Sequence, residues 1–198
     1  GFAGLTGAFD QFFAGIPGVR IACADDPIAR RLAAAHPGTT TYGFAEDATY
    51  RIVSYEGDRR GSRFAVEQNG RELGSIDLPV PGRHNAANAT GATALALELG
   101  APFEAAVDAM RGFGGVARRF QFRGEIDGVT LVDDYAHIPG EISAMIGAAR
   151  EGGWSRVIVV FQPHRYTRTA RLWRDFADAF TGADQVVLTD VYAANETP

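Results

Sequence analysis

From Gln121 to Thr189, short apolar runs alternate with segments of helical period, and this alternation limits the fold more than any other feature of the chain. Gln121–Ile126 and Val129–Val132 read as a hairpin around Asp127-Gly128. Glu141–Arg150 reads as a helix, with Ile142, Met145, Ile146 and Ala149 on its buried face. Arg156–Phe161 is a continuous apolar run, the pattern of a parallel strand covered on both sides. Helical period returns over Ala170–Phe180 with Leu172, Trp173, Phe176 and Phe180 inward, and Gln185–Thr189 is a further strand. A β-α-β-α-β order predicts a parallel sheet with right-handed crossovers, so that three strand ends point the same way.

In open α/β sheets, ligands bind beyond the carboxyl ends of the strands. The first of these ends delivers Asp133, Asp134, Tyr135 and His137, and Pro139 suits the opening turn of the helix that follows. Aspartates there can equally cap the turn. The second end carries Gln162-Pro163-His164-Arg165-Tyr166-Thr167-Arg168-Thr169, and the third Asp190-Val191-Tyr192. Guanidinium forks bind carboxylate or phosphate bidentately, so His164, Arg165 and Arg168 facing Tyr135 and His137 form a cleft for an anionic ligand.

The first half has a different texture. Phe9, Phe12, Phe13 and Ile16 recur at near-helical spacing before Pro17-Gly18. Val19–Ala24 is a strand, and Asp25-Asp26-Pro27 opens a helix running to His36, both aspartates reading as caps and His36 as a helix-end residue. Thr39–Phe44 is another short strand. Ala48–Val80 alternates with turn signals at Glu56-Gly57-Asp58 and Gln68-Asn69-Gly70, the pattern of an antiparallel ribbon. Pro81–Asn88 leads into the Ala- and Leu-rich helix Ala89–Leu99, and Pro102 opens another helix ending near Arg111. Asn85 and Asn88, three apart, share one face of a helix start, where exposed N–H groups and the positive dipole end favour a nucleotide or anion. One Asn would serve as a cap, but His84, Asn85 and Asn88 together exceed what capping needs. Gly112–Ala117 is a glycine-rich connector that marks a domain boundary and hinge before Arg118-Arg119-Phe120.

Composition excludes several functions. A net charge of −5 over 198 residues argues against general nucleic-acid binding, and the apolar runs are too short to span a bilayer. The single cysteine, Cys23, rules out an intrachain disulfide and fits a reducing cytoplasm. All 19 basic residues are arginine. Neither a Gly-Lys-Ser/Thr phosphate loop nor a Schiff-base lysine is therefore present in these residues.

Gly82-Arg83-His84-Asn85-x-x-Asn88, Arg118-Arg119-Phe120, Asp133-Asp134-Tyr135-Ala136-His137-x-Pro139 and Phe161–Thr169 occur in the order seen in the Mur ligases. The chain resembles that family over nearly its whole length, and the last two motifs resemble the branch that joins L-alanine to UDP-N-acetylmuramate. The resemblance implies an α/β fold. Residues 1–117 would be the later portion of the central ATP-binding domain, with its antiparallel β-ribbon. Residues 118–198 would be the first portion of a Rossmann-like C-terminal domain with a parallel sheet. It implies an ATP-dependent amide-bond ligase of bacterial, cytoplasmic peptidoglycan synthesis, with Mg2+ neutralising the phosphates. ATP would phosphorylate the lactyl carboxylate, and the amine of L-alanine would attack the acyl phosphate.

By the same resemblance His84, Asn85 and Asn88 would hold adenine, Arg119 the phosphates, and Asp134 the ribose. Tyr135, His137, His164, Arg165 and Arg168 would position the amino-acid carboxylate and sugar nucleotide, with His137, Arg165 and Arg168 closest to the chemistry. Ile138 stands where the family usually has a second histidine. The family's lysine-bearing phosphate loop, its magnesium-binding residues and its UDP-gripping domain are expected upstream of residue 1, with further C-terminal domain after 198. Such a piece is expected to be inactive alone. The alternatives are a ligase that recycles murein tripeptide and a binding-only module for nucleotides or sugar nucleotides.

Overall fold

A computed structural model describes residues 2–197. They divide into two compact units, one of residues up to Glu56 with Ser62–Pro79 and Arg83–Phe113, the other of Gly57–Gly61, Val80–Gly82 and the chain from Gly114 onward.

The first unit runs α1 (Phe2–Gly15), β1 (Arg20–Cys23), α2 (Pro27–Ala35), β2 (Thr39–Gly43), β3 (Tyr50–Gly57), β4 (Ser62–Gln68), β5 (Arg71–Leu78), α3 (Arg83–Glu98) and α4 (Phe103–Arg111). Its five strands form one sheet in chain order. β1 and β2 are parallel, as are β2 and β3, whereas β4 and β5 are antiparallel. The ribbon expected over Ala48–Val80 is therefore an extension of the parallel pair, joined to it through β3. Asn69 and Gly70 both adopt positive φ (51° and 79°), the two-residue turn whose twist matches paired strands. Phe64 and Val66 of β4 and Ile76 and Leu78 of β5 turn inward at period two and form the core with Tyr50 and Ile52.

Two helix starts differ from expectation. Asp26 caps α2, its Oδ1 accepting from the N–H groups of Ile28 and Ala29 at 2.8 Å. Asp25 does not share that task; its carboxylate accepts from the Phe44 and Ala45 N–H groups beyond β2. α3 begins at Arg83 rather than Ala89, so His84, Asn85 and Asn88 all lie within the helix. Small residues on its inner face (Ala86, Ala89, Thr90, Gly91, Thr93 and Ala94) are buried. A Cβ at Gly91 would stand 2.7 Å from the Tyr42 ring, so glycine here sets how closely α3 lies on β2. α1 is apolar, yet Phe9 and Phe12 are exposed, whereas Phe13, and Ile16 just after the helix, are half-buried.

The second unit contains β6 (Gln121–Ile126), β7 (Val129–Asp133), α5 (Pro139–Glu151), β8 (Ile158–Phe161), α6 (Tyr166–Ala179) and β9 (Gln185–Leu188). β6 and β7 are the expected antiparallel hairpin, turning at Asp127 and Gly128 with φ of 52° and 78°. β8 and β9 are parallel in register Ile158↔Gln185 through Phe161↔Leu188. The continuous three-strand parallel sheet does not form, because β7 pairs only with β6. Nor is β8 covered on both sides. Val157, Val159 and Phe161 pack on Ile142, Ile146 and Ala179, with Phe176 and Phe180 against them, whereas Val160 is 70% exposed. Trp173, expected inward, is 61% exposed. α6 starts at Tyr166 rather than Ala170, which puts Arg168 in its first turn. No helix among the described residues is long and apolar enough to cross a membrane.

The Gly91 contact generates a stability prediction. Gly91→Ala should force the Tyr42 ring aside and destabilise the first unit by about 1–3 kcal/mol, the scale of overpacking. A lower urea midpoint would show it, and an unchanged midpoint would mean that the ring moves freely.

Candidate functional site

The first unit contributes the start of α3. Its first N–H groups have no intrahelical acceptor, and the dipole places partial positive charge there, so this end favours negative or hydrogen-bond-accepting groups. Arg83 stacks over Phe44 at 3.8 Å and Tyr55 at 5.1 Å, and those two rings meet edge to face at 5.9 Å. Next to Arg83, His84 and Asn85 are half-buried, and Asn88, about one turn further on, is exposed. The helix thus brings all three predicted residues together, with both amides on one side.

The second unit contributes a denser cluster. Tyr135, His137, His164 and Tyr192 form a row of rings with successive centroid distances of 5.2, 6.3 and 5.2 Å. His137 Nδ1 lies 2.8 Å from the Tyr135 carbonyl. A carbonyl only accepts, so Nδ1 carries the proton, and in the neutral ring Nε2 is the acceptor. The opposing loop is held by main-chain bonds: Arg165 N–H donates to the Tyr192 carbonyl and Tyr192 N–H to the Pro163 carbonyl, both at 2.8 Å. Arg165 has φ 75°, unusual outside glycine, and Arg168 Nη1 reaches back to the His164 carbonyl at 3.4 Å. The predicted meeting of Tyr135 and His137 with the His164–Arg168 loop is therefore present, although β7 and β8 do not pair.

The remaining predicted residues are pinned from several sides. Asp134 Oδ2 accepts from the Phe120 N–H and Oδ1 from the Ala136 N–H, each at 2.7 Å, so this carboxylate does cap the turn. Asp133 instead pairs with Arg123 at 2.7 Å. Arg118 and Phe120 both have positive φ (59° and 46°), and Arg118 stacks over Tyr135 at 4.6 Å. Arg119 donates to Glu141 Oε1 at 3.3 Å, while Glu141 Oε2 accepts from the His137 N–H at 2.9 Å.

Glu141 thereby ties Arg119 to His137, a role not foreseen from sequence. Its position four residues after His137 on an incoming helix was the available signal. Burial pushes its carboxyl up, but the His137 N–H and Arg119 outweigh this and hold it below its usual value. Glu196 was also missed. It accepts from the Thr167 N–H at 2.9 Å and the Thr167 hydroxyl at 2.6 Å, across a sequence separation that no local pattern reveals.

The electrostatics favour an anion and a neutral imidazole. Burial, then the charges of Arg168, Arg165 and His137, lower the pKa of His164 from its ordinary 6.5. Its Nδ1 is buried and makes no hydrogen bond among the described residues. No group of three His, Cys, Asp or Glu side chains among the described residues is arranged to hold a metal ion.

One α/β unit thus presents paired amides at a helix start and the other an arginine–imidazole cluster, groups whose chemistry suits nucleotide-like and anionic ligands. Residues 4–96 match the family model of the Mur ligase middle domain, and residues 118–198 that of the Mur ligase glutamate ligase domain. The chain belongs to the Mur ligase family. It is 46% identical over 205 residues to the UDP-N-acetylmuramate–L-alanine ligase of Acidothermus cellulolyticus, covering 99% of this chain and 43% of that protein. It is 42% identical over 207 residues to the ligase of the same name from Bradyrhizobium diazoefficiens, covering 100% of this chain and 44% of the relative. The crystal structure of the UDP-N-acetylmuramate–alanine ligase of Thermotoga maritima superposes with a TM-score of 0.78 at 31% identity, over 97% of this chain and 42% of that one. The chain thus spans less than half the length of these relatives.

A histidine NMR titration tests the electrostatics. The His164 midpoint should fall below 6.5, leaving the ring neutral at pH 7. Because the folded-state pKa is lowered, the associated stability is full above 6.5 and is lost as pH falls through the folded midpoint. A midpoint above 6.5 would contradict the arrangement.

Proposed function

We propose that this chain is part of an ATP-dependent ligase that joins L-alanine to UDP-N-acetylmuramate in the cytoplasm, during synthesis of peptidoglycan precursors. The observation that carries the reading is the meeting of Tyr135, His137 and His164 with the Arg165–Arg168 turn, in a chain so similar to ligases of that name. The family boundary falls at 117/118 in this reading, with the ATP-binding domain before it and the C-terminal domain after it.

In the proposed reaction the lactyl carboxylate takes the γ-phosphoryl group of ATP and ADP leaves. The L-alanine amine then attacks the acyl carbon, an amide bond forms, and inorganic phosphate and a proton depart. Asn85 and Asn88, with His84 beside them, hold the adenine through amide donors and acceptors. Arg119 reaches the phosphates. Asp134 takes the ribose hydroxyls, since each carboxylate oxygen keeps a lone pair beyond its backbone bond. Arg165 and Arg168 hold the amino-acid carboxylate and sugar-nucleotide anions bidentately, and Tyr135, His137 and His164 wall the cleft. Mg2+ would neutralise the phosphates in this transfer, although no group of three His, Cys, Asp or Glu side chains among the described residues is arranged to hold it.

Arg168→Ala in the full-length protein should weaken L-alanine or product binding by about 1.5–3 kcal/mol, the scale of a charge-assisted hydrogen bond. Steady-state constants that do not change would remove Arg168 from the site. The 198-residue chain by itself, lacking lysine, should release no phosphate in response to L-alanine. Asn88→Ala should reduce whatever ATP binding calorimetry detects, and equal binding by the variant would place adenine elsewhere.

A further inference from the structure

The turn that carries the arginine fork cannot hold its own shape. Arg165, the residue before α6, has φ 75° and makes no side-chain cap, and the first turn of the helix contains no acidic residue. A left-handed arginine persists only when its surroundings over-determine it. Two constraints come from a segment far along the chain. Tyr192 supplies the main-chain bonds to Pro163 and Arg165, and its ring lies 5.2 Å from that of His164. The second constraint is Glu196, whose carboxylate takes both the N–H and the hydroxyl of Thr167.

The delivery of Glu196 is itself unusual. Ala194 and Asn195 are both left-handed, with φ of 49° and 68°, and the Glu196 N–H closes the turn onto the Ala193 carbonyl at 3.0 Å. Such a backbone is unfavourable for alanine, so the turn is formed against local preference. Its result is a carboxylate at the positive end of α6, where the helix's own sequence provides none. The Thr167 hydrogen bonds and the Arg165 charge hold that carboxyl below its usual pKa, so it is ionised at neutral pH.

We infer that Glu196 is a positioning residue for the arginine fork, fixing the start of α6 through Thr167 and so setting where Arg165 and Arg168 point. It acts through Thr167, not on the substrate. This rests on the ligase reading above, because the fork matters only if it holds the reacting anions.

The test is steady-state kinetics together with hydrogen–deuterium exchange on the full-length protein. Glu196→Ala should speed exchange at the Thr167 amide. It should raise the KM for L-alanine or UDP-N-acetylmuramate by about tenfold, and leave the KM for ATP within about twofold. Glu196→Gln, which can still accept from Thr167 N–H and donate to its oxygen, should recover most of the affinity. Thr167→Val serves if the alanine variant does not fold, and should move the same KM in the same direction by less. Unchanged Thr167 exchange in Glu196→Ala would overturn the clamp. A fall in kcat alone, or an equal rise in the KM for ATP, would reduce Glu196 to a general structural role and overturn the positioning claim. Wild-type protein without L-alanine-dependent phosphate release would overturn the ligase reading, whereas the exchange result separately decides whether Glu196 holds Thr167.

Discussion

Parallel pairing between β8 and β9 does not stop at their last ladder residues. It continues as a bridge between His164 and Tyr192, with Pro163 and Arg165 bonded through their main chains to Tyr192. The loop that carries His164 and Arg165 depends on that continuation. The bonds carry ladder order one step beyond the hydrophobic core and convert a loop of polar residues into a fixed platform. The main chain of such a platform does not have to be ordered by the ligand, which reduces the entropy cost of binding.

The opposite wall is built differently. Tyr135, Ala136 and His137 follow a hairpin strand, and they are held by carboxylates: Asp134 takes the Phe120 and Ala136 amides, and Glu141 takes the His137 amide and Arg119. One wall is thus positioned by backbone pairing and the other by acidic side chains capping backbone N–H groups. Glu196 applies the second device to the first wall, where α6 arrives without a cap of its own.

Much of this was legible in the sequence for reasons that are local. Asn69-Gly70 and Asp127-Gly128 forced hairpins because they accept positive φ at both turn positions. Pro27, Pro102 and Pro139 marked helix starts, and the site residues stood out because polar groups gathered after apolar strands. What failed was non-local. Val160 reads as doubly buried, yet only one side of β8 has a helix layer against it. Asp25 and Asp26 are identical neighbours, and nothing nearby tells which one caps α2 and which crosses to the β2 loop. Arg83–Asn88 and Tyr166–Thr169 lack apolar periodicity, so the sequence pattern starts α3 and α6 later than the fold does, and position rather than pattern makes these residues helical. Glu141 and Glu196 act on partners that only the fold reveals.

The absence of lysine has a further consequence for the cleft. Arginine does not deprotonate in any range that a protein survives, so Arg165 and Arg168 form a constant positive background. Glu141 and Glu196, both held below their usual range, have already ionised well before neutrality. Among these fixed charges the His164 imidazole, its pKa lowered by burial and then by Arg168 and Arg165, is the group able to change charge near neutrality. A shift with pH in how tightly this wall grips an anion is therefore a readout of that ring, with the guanidinium groups silent.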